Sequence, residues 1–357
     1  MEIRIERTKQ PKKRPTDQEI GSIVFGTRFT DHMLQVDYLK GKGWHNARIV
    51  PYGPLSIDPA SCCLHYGQLI FEGMKAYKTS DGSVVMFRPD QNMARMNKSC
   101  ERMCIPQIDE AEMVRAIAKL VEVDEEWIPS LPATSLYIRP FIMADEAFLG
   151  VHPSDSYLLN VILSPVGAYY KEGLAPVRIY VEKNYVRAVR GGTGFAKCAG
   201  NYASALKSQV EAEKEGYSQV LWLDGLEGRY IEEVGAMNVF FVIDGTVVTP
   251  ELNGSILPGI TRKSVIEVLK GWNMPVEERR ISIDELAQAH KDGRVGEAFG
   301  AGTAAVISPI GELKWGDTVM HISGGKIGAV SQRLYDEITG IQTCTREDRF
   351  GWVYKVK

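Results

Sequence analysis

A break in the middle of the chain does most to constrain its fold. Ser164-Pro165-Val166-Gly167, followed by Lys171-Glu172-Gly173-Leu174-Ala175-Pro176, interrupts both helical and strand periodicity. Proline fixes φ and lacks a donor, and glycine loosens the backbone, so such a run separates regular elements. Strand and helix patterns resume on both sides, and 357 residues exceed what one hydrophobic core usually spans. We expect two domains, residues 1–170 and 177–357, joined by a linker at 171–176.

Both halves mix strands and helices. Runs at 70–77 and 84–87 flank Thr79-Ser80-Asp81-Gly82-Ser83, and runs at 238–243 and 246–249 flank Asp244-Gly245. Asp-Gly tolerates positive φ, so each reads as a hairpin. Helices are expected at 91–103, where Met93, Met96, Cys100 and Met103 share a core-facing stripe, and at 110–123, with Met113, Ile117 and Leu120 at helical spacing. Further strands are read at 135–142, 157–163, 177–181 and 220–223. Further helices are read at 201–215, ended by Gly216, and at 260–270, closed by Gly271. Neighbouring strands are joined by hairpins more than by βαβ crossovers, which makes the class α+β.

Bulk composition removes several functions. A formal charge of −3 is unlike a nucleic-acid binder, and no apolar run reaches the roughly 18 residues of a membrane span. The opening residues lack the apolar stretch of a secretory signal. The six cysteines form no CxxC pair and the six histidines no ligand spacing, so no metal site is expected; scattered thiols suit a reducing cytoplasm.

Lys197 stands out chemically. It lies in Gly194-Phe195-Ala196-Lys197-Cys198-Ala199-Gly200-Asn201-Tyr202, among small or apolar neighbours with no acid nearby in sequence. Lysines usually decorate solvated faces; a partly desolvated one favours the neutral amine that forms Schiff bases with carbonyl compounds. Other segments offer what a pyridoxal phosphate site needs. Leu257-Pro258-Gly259-Ile260-Thr261-Arg262 leads into a helix whose start could hold an anion, with Thr261 also read as its cap. Gly300-Ala301-Gly302-Thr303-Ala304-Ala305 is a second small-residue loop that could approach an anion, and it lacks the third glycine of a dinucleotide fingerprint. Gly191-Gly192-Thr193-Gly194 lacks the ending of a P-loop. Glu233 precedes a strongly apolar strand, and a carboxylate there would keep a pyridine nitrogen protonated. Adjacent glutamates and a lone helical Arg95 are by themselves ordinary surface residues.

Together these segments resemble a family. Glu233-x-Gly235-x-x-Asn238-Val239-Phe240, Val247-x-Thr249 and Leu257-x-Gly259-Ile260-x-Arg262 are similar to the signature of class IV pyridoxal-phosphate aminotransferases. FGTRFTDHML, LHYGQLIFEGMKAY, LYIRPF, LSPVGAYY, KCAGNYASAL and FGAGTAA resemble its branched-chain amino acid aminotransferases, over roughly residues 23–342. The resemblance implies a two-domain fold-type IV enzyme, with a smaller N-terminal domain, a barrel-like sheet in the larger C-terminal one, and the cofactor at their interface. It implies that Lys197 carries the cofactor and shuttles the proton. Tyr202 would bond the phenolic oxygen and Glu233 the ring nitrogen. Arg95, Ile260, Thr261 and Thr303 would hold the phosphate, and Thr303, Ala304 and Tyr202 would receive the α-carboxylate. Phe29, Phe71, Tyr137, Tyr169 and Ala236 would line the side-chain pocket, with Tyr66, Leu149 and Val151 reaching from a second subunit of a homodimer. Arg139 would meet the distal carboxylate of a dicarboxylic substrate.

The implied reaction is reversible transamination of leucine, isoleucine and valine with 2-oxoglutarate. Alanine at 236 replaces a threonine of some relatives. Ala305 and Ser308 stand where vertebrate relatives carry a redox CxxC, so that thiol switch is not expected. Cys198 is read as a packing residue. D-amino acid aminotransferases and aminodeoxychorismate lyases share the fold, but FEGMKAY and LYIRPF disfavour both. A phosphate-binding module without catalysis would be colourless, whereas the enzyme would be yellow.

Overall fold

The computed structural model describes residues 2–167 and 174–357, and these form two compact units. The first holds 2–167, 196–199 and 340–357; the second holds 174–195 and 200–339. Sequence alone assigns everything after 176 to one domain, but two segments return to the first unit. Strand Val353–Lys355 pairs with Val84–Phe87, and the short stretch around Lys197 pairs with the first unit through Ile70 and Cys198. Tyr169 and the start of the expected linker lie outside the described residues.

The first unit is an antiparallel sheet with a single parallel edge pair, Arg4–Ile5 with Gly43–Pro51. Its centre runs His32–Leu39, Ser156–Val166, Ser135–Ala144, Met74–Lys78, Val84–Phe87. Strand side chains alternate between faces. One set, including Ile70, Met74, Leu136, Ile138, Val161 and Leu163, packs with helices Pro89–Arg102 and Glu110–Val123 into one hydrophobic core. Met93, Met96 and Cys100 are fully buried in it, so the methionine stripe is core, and Cys198 joins it. The alternate set puts Phe71, Lys75, Tyr137, Arg139 and Ser164 on the other face.

Two strand expectations need correction. The run at 70–77 is split into Leu69–Phe71 and Met74–Lys78. The reason is Pro140 across the sheet, which has no N–H to give: Leu69–Phe71 pairs with 141–143, Met74–Lys78 pairs with 136–138, and the break at Glu72-Gly73 faces Arg139-Pro140. Ser164-Pro165-Val166 is strand rather than linker, with Pro165 opposite Leu136. Pro165 is tolerated because the strand on its other side, His32–Leu39, pairs only as far as Ile162.

The second unit is built on a closed ring of six strands. In order these are Ile231–Val234, Gln219–Leu223, Val177–Val181, Val306–Trp315, Val295–Gly302 and Met237–Ile243, which pairs back to Ile231–Val234 through Glu233 opposite Asn238 and Val234 opposite Met237. Asp244 and Gly245 both have positive φ, as the hairpin reading required. The helix expected over 201–215 is instead two, Ala199–Ala203 and Leu206–Lys214. The junction tightens to an i→i−3 bond from the Ala205 N–H to the Tyr202 carbonyl. Among the described residues no helix is long and apolar enough to cross a membrane, and no group of His, Cys, Asp and Glu could hold a metal ion.

Candidate active site

In the first unit the stretch bearing Lys197 is pinned by its backbone. The Lys197 N–H donates to Ser99 Oγ at 2.9 Å, and the Phe71 N–H donates to the Lys197 carbonyl at 2.9 Å. Its side chain is half-buried, with Nζ 4.8 Å from the centroid of the Phe71 ring. The Arg139 guanidinium lies 4.7 Å from the same ring and donates from Nη2 to the Tyr137 hydroxyl at 3.0 Å. That hydroxyl sits over Gly73, where an added Cβ would come within 2.1 Å of it, so only glycine fits. Phe25 packs edge-on against Tyr137 at 4.8 Å, and Phe29 stacks on Tyr52 at 5.0 Å.

Lys197 does have an acid in reach. Glu72, fully buried at the strand break, interacts electrostatically with it. Glu72 is held by Arg95 in a bidentate pair, Nε–Oε1 at 2.7 Å and Nη2–Oε2 at 2.9 Å, and by Asn92 Nδ2 at 2.8 Å and the Gly73 N–H at 3.1 Å. Burial opposes ionisation of Glu72. The Arg95 charge and hydrogen bonds, then Lys197 and Asn92, more than reverse that effect and hold the carboxyl below its usual range. Arg95 is therefore no surface arginine: it is buried and its plane is fixed by Glu72. Sequence reasoning missed Glu72, Asn92 and Ser99. The available signal was an acid inside the otherwise apolar run 69–74.

The second unit shows why the motif residues are spaced as they are. Glu233 is buried, with Oε1 accepting from the Leu257 N–H at 2.7 Å and 3.2 Å from Arg187 Nη2. Asn238 Nδ2 donates to the Leu257 carbonyl at 2.9 Å. A Cβ on Gly259 would meet Asn238 Oδ1 at 2.0 Å, so this glycine is required by close approach. Thr249 Oγ1 donates to the Val239 carbonyl at 2.8 Å, and Arg262 Nη2 donates to the Pro250 carbonyl at 2.9 Å. The two links to Leu257 fasten the segment before helix Ile260–Gly271 to the ring, Thr249 anchors the start of that segment, and Arg262 ties the helix's first turn back to it.

The helix cap is Gly259, not Thr261, and no side chain caps it. Ile260 and Thr261 occupy its first turn, where amides and the dipole favour an anion. Gly271 is its last residue rather than a stop beyond it. A cavity of about 170 Å³ is lined by Tyr202, Glu233, Ala236 and Arg187, so three sequence-predicted residues converge there. Arg187 was not anticipated. Thr303 and Ala304 lie in the turn between Val295–Gly302 and Val306–Trp315. The glycines before them serve packing: a Cβ on Gly300 or Gly302 would meet Met237 within 2.9 Å. Tyr66 donates its hydroxyl to the Leu149 carbonyl, and Leu149 and Val151 are exposed.

These groups fit pyridoxal phosphate chemically. A buried carboxylate suits a protonated ring nitrogen, a tyrosine hydroxyl beside it suits a phenolic oxygen, and an uncapped helix start suits a phosphate.

Comparison with known proteins agrees. The family model described as amino-transferase class IV matches residues 69–313, and this chain belongs to that family of pyridoxal-phosphate enzymes. It is 58% identical to branched-chain-amino-acid aminotransferase 2 of Bacillus subtilis over 99% of this chain and 97% of that protein. It is 55% identical to a probable branched-chain-amino-acid aminotransferase of Staphylococcus aureus, over 98% and 97%. Among solved structures, the branched-chain amino acid aminotransferase from Escherichia coli superposes with a TM-score of 0.72 at 28% identity, covering 91% of this chain and 99% of that one. The branched-chain aminotransferase from the archaeon Thermoproteus uzoniensis, solved with norvaline, gives 0.75 at 25% identity, covering 91% and 100%.

Proposed function

We propose that this protein is a branched-chain amino acid aminotransferase, moving the amino group between leucine, isoleucine or valine and 2-oxoglutarate. The observation that carries the site assignment is the Phe71 ring, which packs against both the Lys197 amine and the Arg139 guanidinium. One is a base for the α-proton; the other is a cation for a distal carboxylate.

Pyridoxal phosphate, when bound, supplies the electron sink for the charge left as that proton departs. Lys197 Nζ accepts the α-proton and returns it as general base and acid. Glu233, held by Leu257 and Arg187, keeps a proton on the ring nitrogen, and Tyr202 bonds the phenolic oxygen. The Ile260 and Thr261 amides, Arg95 and Thr303 hold the phosphate. Thr303 and Ala304 receive the α-carboxylate. Phe29, Phe71 and Tyr137 form an apolar wall for the branched chain, and Ala236 carries a smaller side chain than the threonine of some relatives.

Tyr66, Leu149 and Val151 form an exposed apolar edge on the first unit, which suits burial in a homodimer. We place the enzyme in the cytoplasm, where its six unpaired cysteines stay reduced.

The test is a substrate panel. L-Leucine with 2-oxoglutarate should yield glutamate, whereas D-alanine and aminodeoxychorismate should not react. Borohydride reduction should bleach the yellow protein and leave the coenzyme mass on the Lys197 peptide. A label on another lysine overturns the assignment.

A further inference from the structure

Transamination requires one pocket to take both an apolar branched chain and a carboxylate. Arg139 is assigned to that carboxylate above, but one guanidinium leaning on two aromatic rings is a sparse site for it. Strand register shows what surrounds it. Directly opposed residues of antiparallel strands share a face. Tyr137 is opposed by Lys75 on one side and by Ser164 on the other, and Arg139 follows Tyr137 two residues along the same face. Ser164, Tyr137 and Lys75 thus form a polar row across the sheet, with Arg139 beside it.

The row is unusual for a sheet interior. Ser164 is buried and its Oγ has no hydrogen-bond partner among the described residues; the same is true of Arg139 Nε. Unsatisfied buried donors are rare and call for an explanation such as a ligand. Lys75 is a half-buried cation, its pKa pushed down to about 8 by burial. The two unsatisfied donors would be satisfied by a carboxylate, and a cation on the same face of the sheet favours one electrostatically. The reacting amine stands at the other end of the same chain of contacts, from Lys197 to Phe71, Arg139 and Tyr137.

We propose that Lys75 and Ser164 complete, with Arg139, the subsite for the distal carboxylate of 2-oxoglutarate and glutamate, and so determine selectivity for dicarboxylic over branched substrates. The hydrophobic substrates lie against the Phe71 and Tyr137 rings without engaging the Lys75 ammonium or the Ser164 hydroxyl. This rests on the assignment of Arg139, and the experiment separates the two.

The readout is the ratio of kcat/KM for 2-oxoglutarate to that for 4-methyl-2-oxopentanoate, measured on the holoenzyme. Lys75→Met should lower the ratio by about 10- to 100-fold, the range expected for losing a hydrogen bond to a charged group. Ser164→Ala should lower it about threefold, and Lys75→Arg should restore part of the loss. Arg139→Met is the control. If Arg139→Met lowers the ratio and Lys75→Met does not, the role of Lys75 is wrong while the subsite stands. If neither changes it, the subsite itself is misplaced. A Lys75→Met protein that no longer holds coenzyme is replaced by Lys75→Gln, and an unchanged ratio in that variant overturns the proposal equally.

Discussion

The buried pair of Glu72 and Arg95 gives the sharpest prediction. Glu72 is fully buried and Arg95 nearly so, and their two hydrogen bonds are 2.7 and 2.9 Å long. Replacing Glu72 with Gln keeps the shape but leaves the guanidinium without a counter-charge in a low-dielectric core. Breaking one partner of such a pair costs about 3–5 kcal/mol. For a unit of this size that corresponds to a fall of roughly 6–20 °C in Tm. The comparison to make is a double-mutant cycle of wild type, Glu72→Gln, Arg95→Met and the double variant, followed by urea unfolding. The coupling energy should exceed ~2 kcal/mol, because the double variant removes the stranded charge. Acidity gives a second check. The folded carboxyl is held below its usual range, so its contribution is complete above about pH 4.3 and is lost as pH falls through the depressed folded value. The gap between wild type and Glu72→Gln should therefore narrow only in acid. Single-variant effects that add to within about 0.5 kcal/mol would refute the account.

Other outcomes follow from the same geometry. Lys197→Ala should keep its unfolding midpoint while losing transamination; full activity in that variant refutes the role of this amine. Gly259→Ala must displace Asn238, so it should cost about 1–3 kcal/mol and weaken coenzyme retention, read by unfolding and by coenzyme titration. Lys75→Met should stabilise the fold by ~1–3 kcal/mol at pH 7. Because the folded lysine has its pKa lowered to about 8, wild-type stability rises between that value and 10.5, and the advantage of Met should fade over that window; a constant difference refutes the cause. Burial pushes the Cys100 thiol up to about 12, so iodoacetamide at pH 8 should spare it in the native protein while alkylating exposed Cys104, as peptide mass spectrometry would show.

The elements were legible where one physical signal dominated. Helix Glu110–Val123 and the Asp244-Gly245 hairpin follow from spacing and turn chemistry alone. The split of 70–77 was not legible, because its cause, Pro140, lies some seventy residues away and acts only through register. The same limit hid Glu72 and Arg187: each looks ordinary in its own segment, and its meaning comes from a partner distant in sequence. Thr261 misled for the opposite reason, since a good capping residue in the right place was displaced by a glycine that Asn238 requires. Six-strand closure leaves no local mark, and only the familial resemblance pointed to it.

That closure rests on a short seam. Just two residue pairs, Glu233 with Asn238 and Val234 with Met237, zip the first strand of the hoop to the last. One rung carries the carboxylate assigned to the coenzyme ring, and the other member of that rung steers the phosphate-binding helix through Leu257. Anything that grips the coenzyme at both ends therefore also clasps the hoop shut. Amide exchange at these rungs should slow when the vitamin is loaded, so the coenzyme acts as a structural rivet as well as a reagent.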